Sequence, residues 1–269
     1  MKLNLASRAL KIVSLIALSC LLSGCIEWFR IYQTYLQLNE FDRYFSVSVK
    51  QDFTLHFNKP RITSNDFINL TKLYPSENLP TANNGRQWRY WFCKVNAQQE
   101  IIHPEIKFFT DLHFDQENQL HDWSFSSLFL QIAPAQFLEV SLRSLAGAEI
   151  SEEKQQLKAK TIVTPTISAQ LPLKSEVLLH FGEPISIEDN ADHEVYRYFF
   201  KLLTPRIEKG YESNALNEIK LSFNKKDQRL FNMAGNFAGL KIAIDYRHFL
   251  APNTTEHSAK LTTSSSASD

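Results

Sequence analysis

The sequence predicts an α+β fold of two tandem units, each a small helix packed on an antiparallel β-meander. Three observations carry this expectation. Blocks of the chain recur in order at a nearly constant offset. Each copy opens with a short apolar-periodic segment that ends at a proline signal, the mark of a helix with a stop. Each copy then enters stretches where β-branched and aromatic residues alternate with polar ones, as in a sheet with one face buried and the other wet. Helices on one face of such a sheet make an α+β layer.

The recurrence is visible on alignment. "DFINLTKLYPSEN" (66–78) falls on "SEVLLHFGEPISI" (175–187), matching Ile68, Leu70 and Pro75 to Val177, Leu179 and Pro184 at an offset of 109. "WRYWF" (88–92) falls on "YRYFF" (196–200) at 108, which puts Arg89 and Arg197 at the same place between aromatic rings. Leu112-His113-Phe114-Asp115 falls on Leu221-Ser222-Phe223-Asn224 at 109. Phe125, Leu128, Leu130 and Ile132 fall on Phe237, Leu240, Ile242 and Ile244 at 112. Self-similarity of this kind marks a repeated supersecondary unit. It assigns the units to residues 45–146 and 165–250, with 147–164 as the connection.

Taken in order, the chain begins with Lys2, Arg8 and Lys11 ahead of the apolar run Ile12 to Leu22. A charged segment, an apolar segment and small residues at a cleavage point make a signal peptide over residues 1–24. At eleven residues the run falls short of the roughly 20 that a spanning helix takes. Next, Trp28, Ile31, Tyr32, Tyr35 and Leu38 recur at helical spacing, predicting an amphipathic helix within 25–44. Its aromatic face is expected to dock on the domain. The alternative puts Trp28 and Phe29 in a membrane interface.

"YFSVSVK" and "DFTLHF" read as strands, and the first helix ends at Pro75. "SENLPTANNGRQ" and "SIEDNADHE" read as polar loops. The strands that follow are "WRYWFCKV", "IKFFTDLHF" and "LHDWSFSSLFLQI" in the first copy. In the second they are "VYRYFFKLL", "NEIKLSFN" and "RLFNMAGNFAGLKIAID". "PAQFLEVSLRSLAG" reads as a helix with Pro134 at its start and Gly147 just past its end. The charged run "AEISEEKQQLKAKTIVTPT" serves as connection. Residues 251–269 hold no aromatic and are expected to be disordered.

Leu22-Ser23-Gly24-Cys25 resembles the lipobox of bacterial outer-membrane lipoproteins, L-[AS]-[GA]-C, at all four positions. The resemblance implies a diacylglycerol thioether on Cys25, removal of residues 1–24 and acylation, palmitate included, of the new amino terminus. Several chains on one residue anchor a protein stably where one does not. Ile26 stands where Asp would retain such a protein in the inner membrane, so the resemblance implies the periplasmic face of the outer membrane. The plainer alternative is a thiol beside an ordinary secretory site. In outline, a helix, G-x-P and an aromatic-rich first strand behind a lipobox is also similar to the BamE (SmpA/OmlA) family and to β-lactamase-inhibitor-like modules. "EVLLHFGEP" and "YRYFF" carry this best, whereas "KLYPS" in the first copy lacks the glycine. This second resemblance covers about a third of the mature chain. It implies a protein-protein interaction or assembly module whose partner is an outer-membrane β-barrel or envelope assembly protein.

Composition narrows the rest. The chain carries 29 basic and 29 acidic residues, and loss of Lys2, Arg8 and Lys11 leaves a formal net charge of −3. No basic stripe of the kind nucleic-acid binding needs is present. With Cys20 removed and Cys25 modified, Cys93 remains, in the apolar setting of a buried, inert thiol.

Common catalytic motifs are missing: "SLAGAE" is no nucleophile elbow, and "HEVYR" lacks the second histidine of a zincin helix. The candidate cluster for chemistry is "DLHFDQENQLHD". There Asp111, His113 and Asp115 alternate along a strand, and a hairpin would bring Asp122 and His121 near His113. His113, His121 and Asp122 could form a zinc set, set against a solvated sheet face with a cross-strand His–Asp contact. The second copy has Lys220, Ser222 and Asn224 there, which favours the sheet-face reading. Trp28, Tyr32, Arg89 and Arg197 are the candidate interaction residues, being of the types enriched at binding hot spots.

The leading functional reading is a non-catalytic, cofactor-free, lipid-anchored interaction module. The alternative is a binding module for a small apolar or lipid ligand held between the two units. An enzyme or metal protein built around His113 comes third.

Overall fold

Side-chain alternation and capping residues set the elements. The computed structural model describes residues 29–144, 149–151, 156–158, 170–237 and 240–250. The segment read as a signal peptide, Cys25, Trp28 and the 251–269 tail lie outside the described residues. Helix α1 covers residues 29–37, and a short α2 (Phe41–Tyr44) leads into the hairpin β1 (Phe45–Val49) and β2 (Phe53–Phe57). Helix α3 (Ser64–Thr71) precedes β3 (Glu77–Pro80), β4 (Arg86–Val95), β5 (Lys107–Phe114) and β6 (Leu120–Phe125). Then come α4 (Ser127–Leu130), α5 (Ala135–Ser144) and the short strands β7 (Glu149–Ser151) and β8 (Gln156–Lys158). The chain continues through α6 (Lys174–Phe181), β9 (Ser186–Asp189), β10 (His193–Leu202), β11 (Leu216–Asn224), β12 (Leu230–Phe237) and β13 (Leu240–Asp245).

Both eight-residue helices start and stop by local chemistry. Thr63 and Asp66 form a reciprocal capping box at α3, and the Glu176 carboxylate accepts the Leu173 N–H at 2.7 Å to open α6. Lys72 and Gly182 end the two helices at positive φ, 61° and 62°. The proline signals read from the sequence lie two or three residues beyond these stops.

The fold is mixed helix and strand with one continuous sheet, antiparallel except where β13 meets β8. The strand order is β1-β2-β6-β5-β4-β10-β11-β12-β13-β8-β7, with β3 added to β4 and β9 added to β10. At the centre, β4 and β10 overlap through Val95↔Phe199, Lys94↔Phe200, Cys93↔Lys201 and Phe92↔Leu202. The free parts of their facing edges are taken by β3 and β9.

One face of this sheet is covered by helices and buried. Phe67 of α3 packs on Tyr90 and Trp123, and Phe181 of α6 packs on Tyr198 and Phe200. Phe108 bridges the middle, its ring 4.9 Å from both Phe92 and Phe200. A single hydrophobic cluster therefore runs from Phe45 to Phe223. Helix α5 joins it where Phe137 meets Tyr246 at 5.0 Å.

Several elements differ from the sequence expectation. The two "polar loops" contain β3 and β9, because their backbones fill edge positions on the longest strands whatever their side chains. "LHDWSFSSLFLQI" is a strand only to Phe125. The Asp52 carboxylate accepts the Ser127 N–H at 3.0 Å and a helical turn begins, tucking Phe129 against Phe108. "RLFNMAGNFAGLKIAID" is two strands, β12 and β13, paired with each other. The alignment at offset 112 thus superposes a helical turn on a strand, so that block does not mark equivalent structure. The connection 147–164 holds β7 and β8.

Candidate functional site

The helix-free face of the sheet is where the polar residues of the first half converge. Alternation puts Arg89 and Gln87 of β4, Asp111 and His113 of β5, and Asp122 and Ser124 of β6 on that face. Register then aligns them with Thr54 and His56 of β2 and Ser48 and Ser46 of β1. Two polar rows cross five strands.

At one end, Arg89 grips Asp111 with two hydrogen bonds, Nε at 2.8 Å and Nη2 at 2.6 Å, while Gln87 donates to the same carboxylate at 2.8 Å. The guanidinium also lies 4.1 Å from the Phe109 ring centroid and 5.2 Å from that of Trp91. Hydrogen bonding to Asp111 raises the already high basicity of Arg89. Arg197, its counterpart in the alignment, pairs instead with Glu188 at 2.8 Å and stands 3.1 Å from Glu218. Both arginines are held by carboxylates on neighbouring strands.

At the other end, Ser48 Oγ lies 2.7 Å from His56 Nε2, and His56 Nδ1 lies 2.6 Å from Asp122 Oδ1. Serine, histidine and aspartate stand here in the order of an acyl-transfer triad. The setting is a regular strand pair, however, whose N–H groups lie in the sheet plane and not over its face. Donors for a developing oxyanion are what such chemistry most needs. Ser48 and His56 were not legible as a site because their pairing depends on the β1–β2 and β2–β6 register, with Asp122 far away in sequence.

The candidate zinc set comes only partly together. His113 and Asp122 face each other across β5 and β6, as the hairpin reading expects, but the carboxylate is bonded to His56. His121 sits at a register shift and bonds Asp115 at 2.8 Å. Among the described residues, no group of three or more His, Cys, Asp or Glu side chains is placed to hold a metal ion. His113 and His121 line an open depression of about 520 Å³ with Thr81, Asn83, Gly85 and Asp115, and the buried His113 Nδ1 has no hydrogen-bond partner among the described residues. Burial opposes ionisation of Asp115, but the Gln119 amide and the His121 ring outweigh it and hold that carboxyl below the usual range.

On the helix-covered face, Lys94 is a buried cation that sequence reasoning missed. Its Nζ donates to the Phe181 and Glu183 carbonyls at 2.6 and 2.5 Å and lies 5.2 Å from the Tyr198 ring centroid. Burial pushes the ammonium below the usual lysine range. Next to it in sequence, Cys93 is buried and its thiol is pushed up by burial, in line with an inert cysteine.

Helix α1 docks rotated from the expected orientation: of the side read from the sequence, Leu38 packs on the core and Ile31 and Tyr35 are half-buried, while Tyr32 is exposed. Its polar side faces the domain: Arg30 bonds Asp66 at 2.7 and 2.5 Å, Thr34 is buried, and Gln37 donates to the Lys59 carbonyl at 3.2 Å. Tyr32, with Phe29 and Leu36, stands exposed on the outer side. The reason is the Asp66 carboxylate, fully buried at the start of α3, whose charge demands a cation more strongly than the core demands another ring. Among the described residues, no helix is long and apolar enough to cross a membrane. Compared with protein-family models, with curated proteins and with solved structures, the chain matches none.

Proposed function

We propose that this is a lipid-anchored envelope protein, a non-catalytic interaction or assembly module at the periplasmic face of the outer membrane, built from two copies of one unit. The anchor rests on the Leu22 to Cys25 motif behind a signal peptide.

The duplication is supported by hydrogen bonds that recur at shifts of 108 to 110 residues. Thr63 bridges to Gln119 and Leu173 to Arg229, each pair 110 residues from the other. The Leu120 N–H donates to the Ile62 carbonyl at 2.8 Å, and the Leu230 N–H to the Pro172 carbonyl at 2.9 Å. Tyr90 and Tyr198 each send a hydroxyl back to a carbonyl within two residues of the end of α3 and α6, at Leu73 and Gly182. The central pairing of β4 with β10 joins matching strands antiparallel, as a two-fold relation between equal units would. In this reading the two units share one sheet and one core.

The observation that carries the interaction reading is the pair Leu70 and Leu179. They lie in the last turns of α3 and α6, one position apart when the two helices are matched end to end, and both stand in solvent, Leu179 at 80 % exposure. An apolar side chain held out of the core at the same turn of both helices suits a surface that a partner covers. A β-barrel or envelope assembly protein is the partner class. The apolar-ligand alternative is less well supported, because Phe92, Phe108 and Phe200 fill the junction with ring contacts.

The test is a photo-cross-linking amino acid in place of Leu179, in the full-length protein in living cells, with Cys25→Ser as the mislocalised control. Capture of one envelope protein by the anchored form alone is the expected result. Identical capture in the control, or none from this position, would remove the reading.

A further inference from the structure

We infer that Phe29, Tyr32 and Leu36 form a second membrane contact, an apolar stripe on α1 that lies in the interfacial layer of the bilayer to which Cys25 is attached. The inference rests on the lipid-anchor reading and deepens it, from a tether to a fixed orientation.

The three residues follow helical spacing on one side of α1 and are 56 %, 45 % and 45 % exposed. The opposite side carries Arg30, Thr34 and Gln37, all engaged with the domain. The stripe cannot turn inward without pulling Arg30 off a buried carboxylate, so the fold presents it outward. Its neighbour along the helix, Tyr35, lies beside Tyr32 with ring centroids 6.2 Å apart and widens the aromatic surface.

Chain length decides what covers it. Ile26, Glu27 and Trp28 alone separate Cys25 from Phe29. Four residue steps reach at most about 14 Å even when fully extended. A cysteine whose acyl chains are in the hydrocarbon therefore keeps Phe29 within about 14 Å of the hydrocarbon edge, in or directly beside a headgroup layer about 5–8 Å thick. Aromatic and aliphatic side chains on a helix lying in that plane gain free energy by insertion, and aromatic rings concentrate at this level of a bilayer. A soluble protein partner would have to displace lipid to reach the same stripe. With the stripe seated, α3 and its Asp66 are held next to the membrane, and the whole sheet takes one orientation to the surface.

The experiment uses full-length protein matured in cells and reconstituted into vesicles of phosphatidylethanolamine and phosphatidylglycerol. Tyr32→Cys and Leu36→Cys carry an environment-sensitive fluorophore, and Ala191→Cys, on an exposed turn, serves as control. The mass of the amino-terminal peptide is measured on the same samples. The expected result is blue-shifted emission at 32 and 36, with most of it lost when nitroxide-labelled lipid is included and no change at 191. An acylated amino terminus with unquenched probes at 32 and 36 overturns the inference and leaves the anchor standing. Disulfide-linked dimers through Tyr32→Cys in place of quenching overturn it in favour of a second copy of the chain. An unmodified Cys25 overturns the anchor reading and this inference with it.

Discussion

Lys94 Nζ donates to the Phe181 carbonyl across 2.6 Å, so a cation from one half of the chain closes the last turn of a helix from the other. Unsatisfied carbonyls at a helix end need donors, and a positive charge there also meets the negative end of the helix dipole. Lys94→Met keeps the stem and removes the donor, leaving two carbonyls short of partners. The expected loss is about 1–3 kcal/mol of stability, read as a lower urea midpoint at unchanged slope. An unchanged midpoint would mean that water replaces the ammonium at no cost.

The Arg30–Asp66 pair predicts how α1 responds to acid. Burial alone would raise the Asp66 carboxyl, but the Arg30 guanidinium and the Thr63 donors outweigh it and hold it below the usual range. With the folded value below the unfolded one, the contribution is fully present above the ordinary aspartate value of about 3.9. It is lost as the pH falls through the folded value. Amide protection of residues 29–37, followed by hydrogen exchange, is expected to fall in that acid window before the sheet opens. Asp66→Asn should lower that protection at neutral pH and flatten its acid dependence. Protection of α1 that ignores both changes would show that Leu38 and its apolar neighbours hold the helix without the ion pair.

Ser48, His56 and Asp122 give a sharp test of the non-catalytic reading. The hydrogen-bond order is right for activating a hydroxyl, but a paired strand, whose amides lie in the sheet plane, supplies none aimed at a bound carbonyl. A fluorophosphonate probe is expected to leave Ser48 unmodified, and His56→Ala to change stability by less than about 1 kcal/mol, as for exposed pairs. Labelling at Ser48 that disappears in His56→Ala would make this an enzyme after all.

Gly235 is required by close approach. A Cβ built there would stand 2.3 Å from the Glu218 carbonyl oxygen on β11, a backbone atom that cannot swing aside. Gly235→Ala is therefore expected to cost about 1–3 kcal/mol, as overpacking does, with the damage centred on β11 and β12 in hydrogen exchange. Gly210, which has open space around its Cβ position but a positive φ of 91°, provides the contrast. Alanine there meets backbone strain without a clash.

Local chemistry made much of this architecture legible. Alternation in "DFTLHF", "WRYWFCKV" and "NEIKLSFN" identifies strands, because a half-buried sheet imposes a period of two on whatever sequence forms it. The same logic fails at "SSLFLQI", where four apolar residues suit a strand or a helical turn equally and Asp52, far away in sequence, supplies the cap that decides. The candidate site was legible to a smaller degree. His113 and Asp122 do face each other, yet Asp122 belongs to His56, whose strand enters the sheet only through long-range register.

The Leu22 to Cys25 motif, the apolar run before it and the recurring blocks are features of covalent order, and the chain carries them without folding. Which side of α1 faces out is another matter. The spacing of its aromatic residues announces an amphipathic helix and suggests that the rings go inward. Folding rotates it so that Tyr32 faces out, because an aspartate buried in the first turn of α3 has to be neutralised and Arg30 is the cation within reach. Lys94 follows the same rule at α6. Pairing of distant charges and carbonyls is written in no local pattern, since it depends on which elements the core brings together.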